Sequence, residues 1–470
     1  MEHHQASLEE YGYKQELKRT LGLRDLVVFG IVAMSPASCM TLFGLMATIS
    51  QGHNLLAYAV GFIAMLFTAY SYGQMVEEFP IAGSAYSYTQ RSVSPKLGFL
   101  AGWVMLMDYF LIPLLLFVVS AIFAHELVPQ IPFMGWIVIY VVVVTFINIR
   151  GIAIAAKVNG IVTALLFASM LSFLVAAAKY ALTGEGISLL STTAVFNPKL
   201  FAFPAVIGAS VLAVSSYLGF DSITTLAEEV KGSARKIKQA IFIALIVQTL
   251  LYFAMSYLGT VIAPDFTLFK NPDTAFFEMA YKVGGSALQI FITLLILISS
   301  GTTALAGQMA ASRLLYGMGR DELIPKKFFS YLHPTYKTPV YNILFMGVAG
   351  LAGASVLSFM TLADMVAFGG LFGFICVNLS VIFHFFIKNK SGKLVRHVVF
   401  PLCGMIICAY ILFGMSHLAK TVGFSWIGFG VVYLVVRSYI SQDFKDRLKK
   451  ITTINPDAPI VIPKTACDVD

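Results

Sequence analysis

A chain of 470 residues that is 58% hydrophobic and only 12% charged is too apolar for a soluble domain, where about a quarter of residues carry charge. Its 32 Lys and Arg against 24 Asp and Glu give a formal charge of +8, which by itself would suit nucleic acid. The distribution excludes that reading. With the N-terminus inside, alternate polar segments hold 27 of the basic residues and the segments between them hold five, the bias that sets orientation in a membrane.

Apolar stretches of about 18 residues or more, enough to cross a hydrocarbon core of about 30 Å, recur about twelve times. They begin near Asp25, Leu55, Leu97, Phe133, Ile152, Phe203, Gln239, Ser286, Val340, Leu362, Val398 and Val422. Residues 1–24 and 441–470 are polar tails, both expected in the cytoplasm, and the first tail is no cleavable signal peptide. The expected fold is an all-α integral membrane protein of an inner membrane, in contact with the lipid bilayer, with no soluble domain. Cys39, Cys376, Cys403 and Cys408 fall within apolar spans and Cys467 in the tail, so neither a disulfide framework nor a metal site is expected. No cofactor motif is present; a phosphate-binding G-x-x-x-x-G-K-[ST] is missing, as are G-x-S-x-G and H-E-x-x-H, and an enzyme is not expected.

In chain order, helix 1 carries Met34-Ser35-Pro36-Ala37-Ser38 in mid-span. Helix 6, five spans later, carries Ser215-Ser216-Tyr217-Leu218-Gly219-Phe220-Asp221 at a similar depth. Interrupted spans at matching positions point to a transport core of five-plus-five inverted repeats over 25–388, with helices 11 and 12 (398–440) outside it. A break leaves backbone groups unpaired, tolerable in a bilayer only beside ligand, water or protein. The first halves end in carbonyls, at 33–35 and 215–217, which favour a cation. The second halves begin with N–H groups, at 37–39 and 221–223, which favour an anion. Pro36 removes one such donor, and the Asp221 carboxylate is placed to cap the others. The carbonyl ends then remain for an amine, so the expected substrate is a cation without a carboxylate; capping alone is the plainer role for Asp221.

Asp108 lies 11 residues beyond Leu97, roughly 16 Å into helix 3 and near the midplane. A lone carboxylate there costs several kcal/mol unless paired, protonated or facing water. It is either a counter-charge for an amine or proton, or a structural hydrogen bond to another helix. Tyr109 beside it offers an aromatic face to an ammonium, or packing. Glu228 and Glu229 read as interfacial ion pairs, Asp364 as a cap of helix 10, and Phe368-Gly369-Gly370-Leu371-Phe372-Gly373 as close helix packing beside the site. The substrate-binding candidates are Ser35, Pro36, Ala37, Ser38, Asp108, Tyr109, Ser216, Tyr217, Gly219 and Asp221.

The run Arg313-Leu-Leu-Tyr-Gly-Met-Gly-Arg-Asp-Glu-Leu-Ile-Pro325, followed by Lys326, Lys327, His333-Pro334 and Thr338-Pro339, resembles the helix 8–9 connection of amino acid–polyamine–organocation (APC) transporters. Glu78-Phe-Pro-Ile-Ala-Gly83-Ser-Ala-Tyr86-Ser-Tyr88, Leu97-Gly-Phe-Leu-Ala-Gly-Trp103 and Tyr217-Leu-Gly-Phe-Asp221 with Glu228-Glu229 resemble three further family patterns. Within the family, 20–43, Met107-Asp108-Tyr109 and 321–339 look nearest to bacterial putrescine importers. The resemblance implies a LeuT-like fold with broken helices 1 and 6, working by alternating access. It implies a secondary transporter importing a small organic cation, putrescine or a related polyamine first, with protons as coupling ion. The alternative is an amino acid permease or amino acid/amine exchanger of the same superfamily. The chain departs from the family in two places. The helix-1 break has no glycine, and Leu165 or Leu166 stands where many members place a helix-5 lysine.

Overall fold

The computed structural model describes residues 19–81, 84–150, 155–184, 187–320, 325–336 and 338–440, with the side chains at 155–160, 313, 314 and 317–320 outside it. Residues 1–18 and 441–470 of the tails, 82–83 of the 78–88 loop and 321–324 of the 313–325 run therefore lie outside the described residues, as does the side chain of Lys157. Twelve principal helices follow one another: α1 (Leu23–Ala33), α2 (Asn54–Glu78), α3 (Pro95–Leu127), α4 (Phe133–Arg150), α5 (Ala155–Leu182), α6 (Phe203–Tyr217), α7 (Arg235–Ile262), α8 (Ala275–Arg320), α9 (Val340–Val356), α10 (Phe359–Val381), α11 (Phe400–Phe413) and α12 (His417–Ile440). Eleven of the described spans are long and apolar enough to cross a membrane. The remaining one, α9, has 17 residues and is about 25 Å long at about 1.5 Å per residue. In the long α8 the backbone leaves helical geometry at Gly285 (φ 63°); the helix starts at Ala275, 11 residues before the expected start at Ser286, within a stretch expected to be a loop.

The interruption in α1 has a local cause. Pro36 has no N–H, and its ring would collide with the carbonyl one turn back. The Val32 carbonyl instead accepts the Ser35 N–H (3.1 Å), Ser35 turns left-handed at φ 47°, and helix resumes as Ser38–Thr41 and Phe43–Ile49. In α6 the left-handed residue is Gly219 (φ 110°). Beyond it, Phe220–Glu229 winds as a 3₁₀ helix, far longer than the usual three or four residues. Three hydroxyls fasten the tight winding by bonding three residues back: Ser222 to the Gly219 carbonyl, Thr224 to Asp221 (2.6 Å) and Thr225 to Ser222 (2.6 Å). The Leu21 segment bridges Val230, with the Lys231 N–H on the Leu21 carbonyl at 2.9 Å. The outer ends of the two broken helices are thus joined.

Helix packing shows the two-fold repeat. α1 lies on α7 and α6 on α2; α5 lies on α8 and α10 on α3; α4 lies on α8 and α9 on α3. Each contact recurs with the halves exchanged, as inverted repeats require. The self-paired contacts α2 with α7 and α3 with α8 are among the most extensive. Buried amides lock the layers, an economical glue where lipid supplies no hydrophobic drive. Asn378 of α10 takes the Ser71 hydroxyl (2.6 Å) and donates to Thr68 (3.2 Å), both on α2. Gln308 of α8 takes the Asn148 amide (2.7 Å) and donates to Thr145 (3.0 Å) on α4. The described residues thus form the helical fold that the resemblance implied, with paired repeats and with α1 and α6 broken.

Candidate functional site

The two breaks touch. Gly219 packs so closely on the Ala33 carbonyl that a Cβ there would overlap it, which is why glycine occupies the turn. Around the contact lie two groups of side chains.

The first is aromatic and hydroxylic. The Tyr252 hydroxyl, from α7, reaches the Ser216 carbonyl (2.7 Å), the Met34 carbonyl (3.0 Å) and the Ser38 hydroxyl (3.0 Å). Its ring packs against Tyr58 (5.0 Å between centroids) and Tyr217 (5.3 Å), and the Tyr58 and Ser216 hydroxyls meet at 3.4 Å. The expectation of free carbonyl ends is corrected here. Met34 closes the first half of α1 and Ser216 lies in the last turn of α6, yet both carbonyls face a protein hydroxyl. Ser35 supplies the turn, the Pro36 carbonyl accepts the Cys39 thiol (3.3 Å), and Ala37 heads the second half without a side-chain cap.

The second group is acidic. Asp108 of α3 and Asp221 of the 3₁₀ segment are the acidic members, Asp221 within electrostatic reach of Asp108. Asp221 sits in the first turn of that segment, beside the Gly219 and Ser222 N–H groups, and receives the Ser84 hydroxyl at 3.4 Å. Gly219 itself holds the cap position, with no side-chain bond, so Asp221 faces that helix end from inside the turn. One Asp108 oxygen is buried without a hydrogen-bond partner, and the carboxylate presses on Gly369 of α10. Among the described residues neither carboxylate has a lysine, arginine or histidine partner. Tyr109 is 41% exposed but lies within electrostatic reach of both carboxylates, as do Tyr72 and Tyr88 of Asp221. Of the ten sequence candidates, the eight on α1 and α6 lie at the two touching breaks, while Asp108 and Tyr109 stand on α3, Asp108 against Gly369 of α10.

The glycines of α10 are close packing, as expected: Gly369 abuts Asp108 and Gly370 abuts Leu218 in the α6 break. Gly369→Ala would drive a methyl group into the Asp108 carboxylate. It is expected to reduce transport at least as far as loss of the Asp108 charge, whereas Gly370→Ala meets only a mobile leucine tip; paired uptake assays check this. Asp364 is a correction. The cap of α10 is Ser358, which accepts the Thr361 N–H (3.2 Å). Asp364, 3% exposed, instead accepts the Ser416 N–H (3.3 Å) before α12. Of the two helix-5 candidates, Leu166 is buried and Leu165 is 44% exposed. Sequence reasoning missed Tyr58, Tyr72 and Tyr252, since a tyrosine in an apolar span carries no signal beyond packing, and it read Tyr88 only as part of the 78–88 family pattern. It also missed Ser84.

Inverted repeats, two touching breaks and unpaired acidic groups beside them define a membrane transporter core. The model of the amino acid permease family matches residues 26–438, and the chain belongs to that family, within the APC superfamily. It is 35% identical over 428 residues to the low-affinity putrescine importer PlaP of Escherichia coli (strain K12), covering 89% of this chain and 93% of that one. It is 25% identical to the branched-chain amino acid permease BcaP of Bacillus subtilis (strain 168), again covering 89% and 93%. To the methylthioribose transporter of Bacillus subtilis (strain 168) it is 25% identical, covering 92% and 95%.

Proposed function

We propose that this transporter imports a small organic cation, putrescine or a related polyamine, across an inner membrane, coupled to protons and by alternating access, with both termini cytoplasmic. The observation that carries this reading is the Asp108–Asp221 pair. Two carboxyl groups, one with an oxygen buried without a partner, lie away from any basic side chain among the described residues, in a chain whose membrane interior makes an uncompensated charge cost several kcal/mol. A diamine supplies two positive ends, and a proton compensates the charge in its absence. Exchange between the two is a ready basis for coupling, without the helix-5 lysine. The 35% identity with a putrescine importer over most of the chain supports the same substrate class.

A second reading keeps an amino acid as substrate or exchange partner. The N–H groups opening the second half of α1 have no side-chain cap at Ala37, and such an end accepts a carboxylate. Uptake of labelled putrescine into proteoliposomes, with and without an imposed inward proton gradient, tests the first reading. Accumulation that rises with the gradient supports it. Counterflow of an amino acid without any putrescine uptake replaces it by the second.

A further inference from the structure

α7 runs unbroken past the interruption in α1. Its Ala244 lies against Gly30 on the first half, Tyr252 reaches Met34 and Ser38 on either side of the break, and Gly259 packs on Phe43 in the second half. These three contacts place α7 as a straight rail along a discontinuous neighbour. The same Tyr252 hydroxyl bonds the α6 carbonyl of Ser216 at 2.7 Å. One side-chain oxygen therefore touches the ends of both broken helices and the start of the second half of α1.

A phenol has one hydrogen to give. With Met34 and Ser216 both in reach, only one carbonyl receives it at a time, and Ser38 donates to or competes for the same oxygen. In a bilayer the ungiven carbonyl has no bulk water to turn to. The surroundings are polar and underfilled in the same sense. The Gln248 carboxamide, one turn before Tyr252 and fully buried, lies beside the Tyr252 hydroxyl, and the buried Tyr217 hydroxyl lies beside Thr249, neither at full hydrogen-bond geometry. The Tyr252 ring is itself fixed between Tyr58 and Tyr217, so its hydroxyl is held at a set place rather than free to follow either helix.

We infer that Tyr252 is a positioning residue for transport: its one phenolic hydrogen passes between the carbonyl ends of α1 and α6, and losing this shared bridge leaves both carbonyls unpaired and loosens both breaks. The transport consequence rests on the breaks being the substrate site, as proposed above; the structural consequence does not. Cys39 is an internal reporter. It is buried on the second half of α1, next to Ser38, with its thiol on the Pro36 carbonyl. In a variant retaining Cys39 alone, Tyr252→Phe keeps the ring and removes the bridge. Without substrate, a membrane-permeant maleimide is expected to label Cys39 several-fold faster in Tyr252→Phe than in its Tyr252 parent. The KM for putrescine is expected to rise about fivefold to tenfold, the loss of about one net hydrogen bond, with kcat changed less.

Unchanged labelling in folded Tyr252→Phe protein overturns the bridge, whatever happens to KM, because a raised KM alone would make Tyr252 a direct substrate contact. Faster labelling with unchanged KM and kcat overturns the role in transport. If the parent takes up no putrescine yet Tyr252→Phe labels faster, the bridge stands and the polyamine reading falls. Ser38→Ala, which takes away only the hydroxyl that orients Tyr252, serves if Tyr252→Phe does not fold: an intermediate rise in labelling supports the bridge and an unchanged rate overturns it.

Discussion

Replacing Asp108 by asparagine is expected to cut putrescine uptake about tenfold to a hundredfold, the loss of one hydrogen bond to a charged group of about 1.5–3 kcal/mol. The amide matches the carboxylate in shape, so it fits against Gly369 without new overlap. It removes only the charge. Burial of an unpaired charge costs stability, so the melting temperature in detergent is expected to hold or rise while transport falls. That opposite movement separates a functional carboxylate from a structural one, whose loss would lower both. Uptake equal to wild type would remove Asp108 from the mechanism and leave Asp221 as the sole acidic candidate.

The second large effect is expected at Gly219. With φ at 110°, any L side chain there costs on the order of 1–3 kcal/mol of backbone strain. The new Cβ of Gly219→Ala would also meet the Ala33 carbonyl, a backbone atom that has no rotamer to escape into. The two broken helices must then separate. Expected results are a lower yield of folded protein, a melting temperature several degrees down, and uptake reduced more steeply than the folded fraction. Gly232→Ala is the control. That glycine is also left-handed, at φ 87°, but its Cβ would approach only the tip of Lys236. Equal loss of uptake in both would mean that backbone strain, and not the contact between the breaks, sets the effect.

Much of the fold was readable because membrane burial writes itself along the chain as apolar runs, and the starts of most of those runs fall within five residues of the helix starts. The exception is the run from Ser286: α8 begins at Ala275, inside the polar stretch 264–282 that read as a loop, because its first turns are too polar to register as a span. Both breaks were readable too, through Pro36 in one and the polar, glycine-containing stretch up to Asp221 in the other. Asp108 stood out as a charge in an apolar helix. What escaped were partners chosen by tertiary structure. Asp364 near the start of a helix reads as its cap, but it serves a turn 52 residues later, and nothing local announces that approach. Tyr252 escaped for the same reason: its significance is the pair of carbonyls it meets, 36 and 218 residues away.

Trp103 and Trp426 each donate the indole N–H to the other's backbone carbonyl, at 3.0 and 2.9 Å, with the rings stacked at 4.9 Å. This double clasp fastens α12, outside the repeat, to the helix that carries Asp108 five residues further on. It also determines what light can report. The chain has three tryptophans, and two of them stack on each other, Trp103 also stacking on Tyr433. Intrinsic emission is therefore dominated by a seam between α3 and α12, with Trp136 on α4 as the remaining emitter. A spectral change on adding substrate would record movement of α3 relative to α12, while a steady spectrum during active uptake would show that the pair travels as one piece.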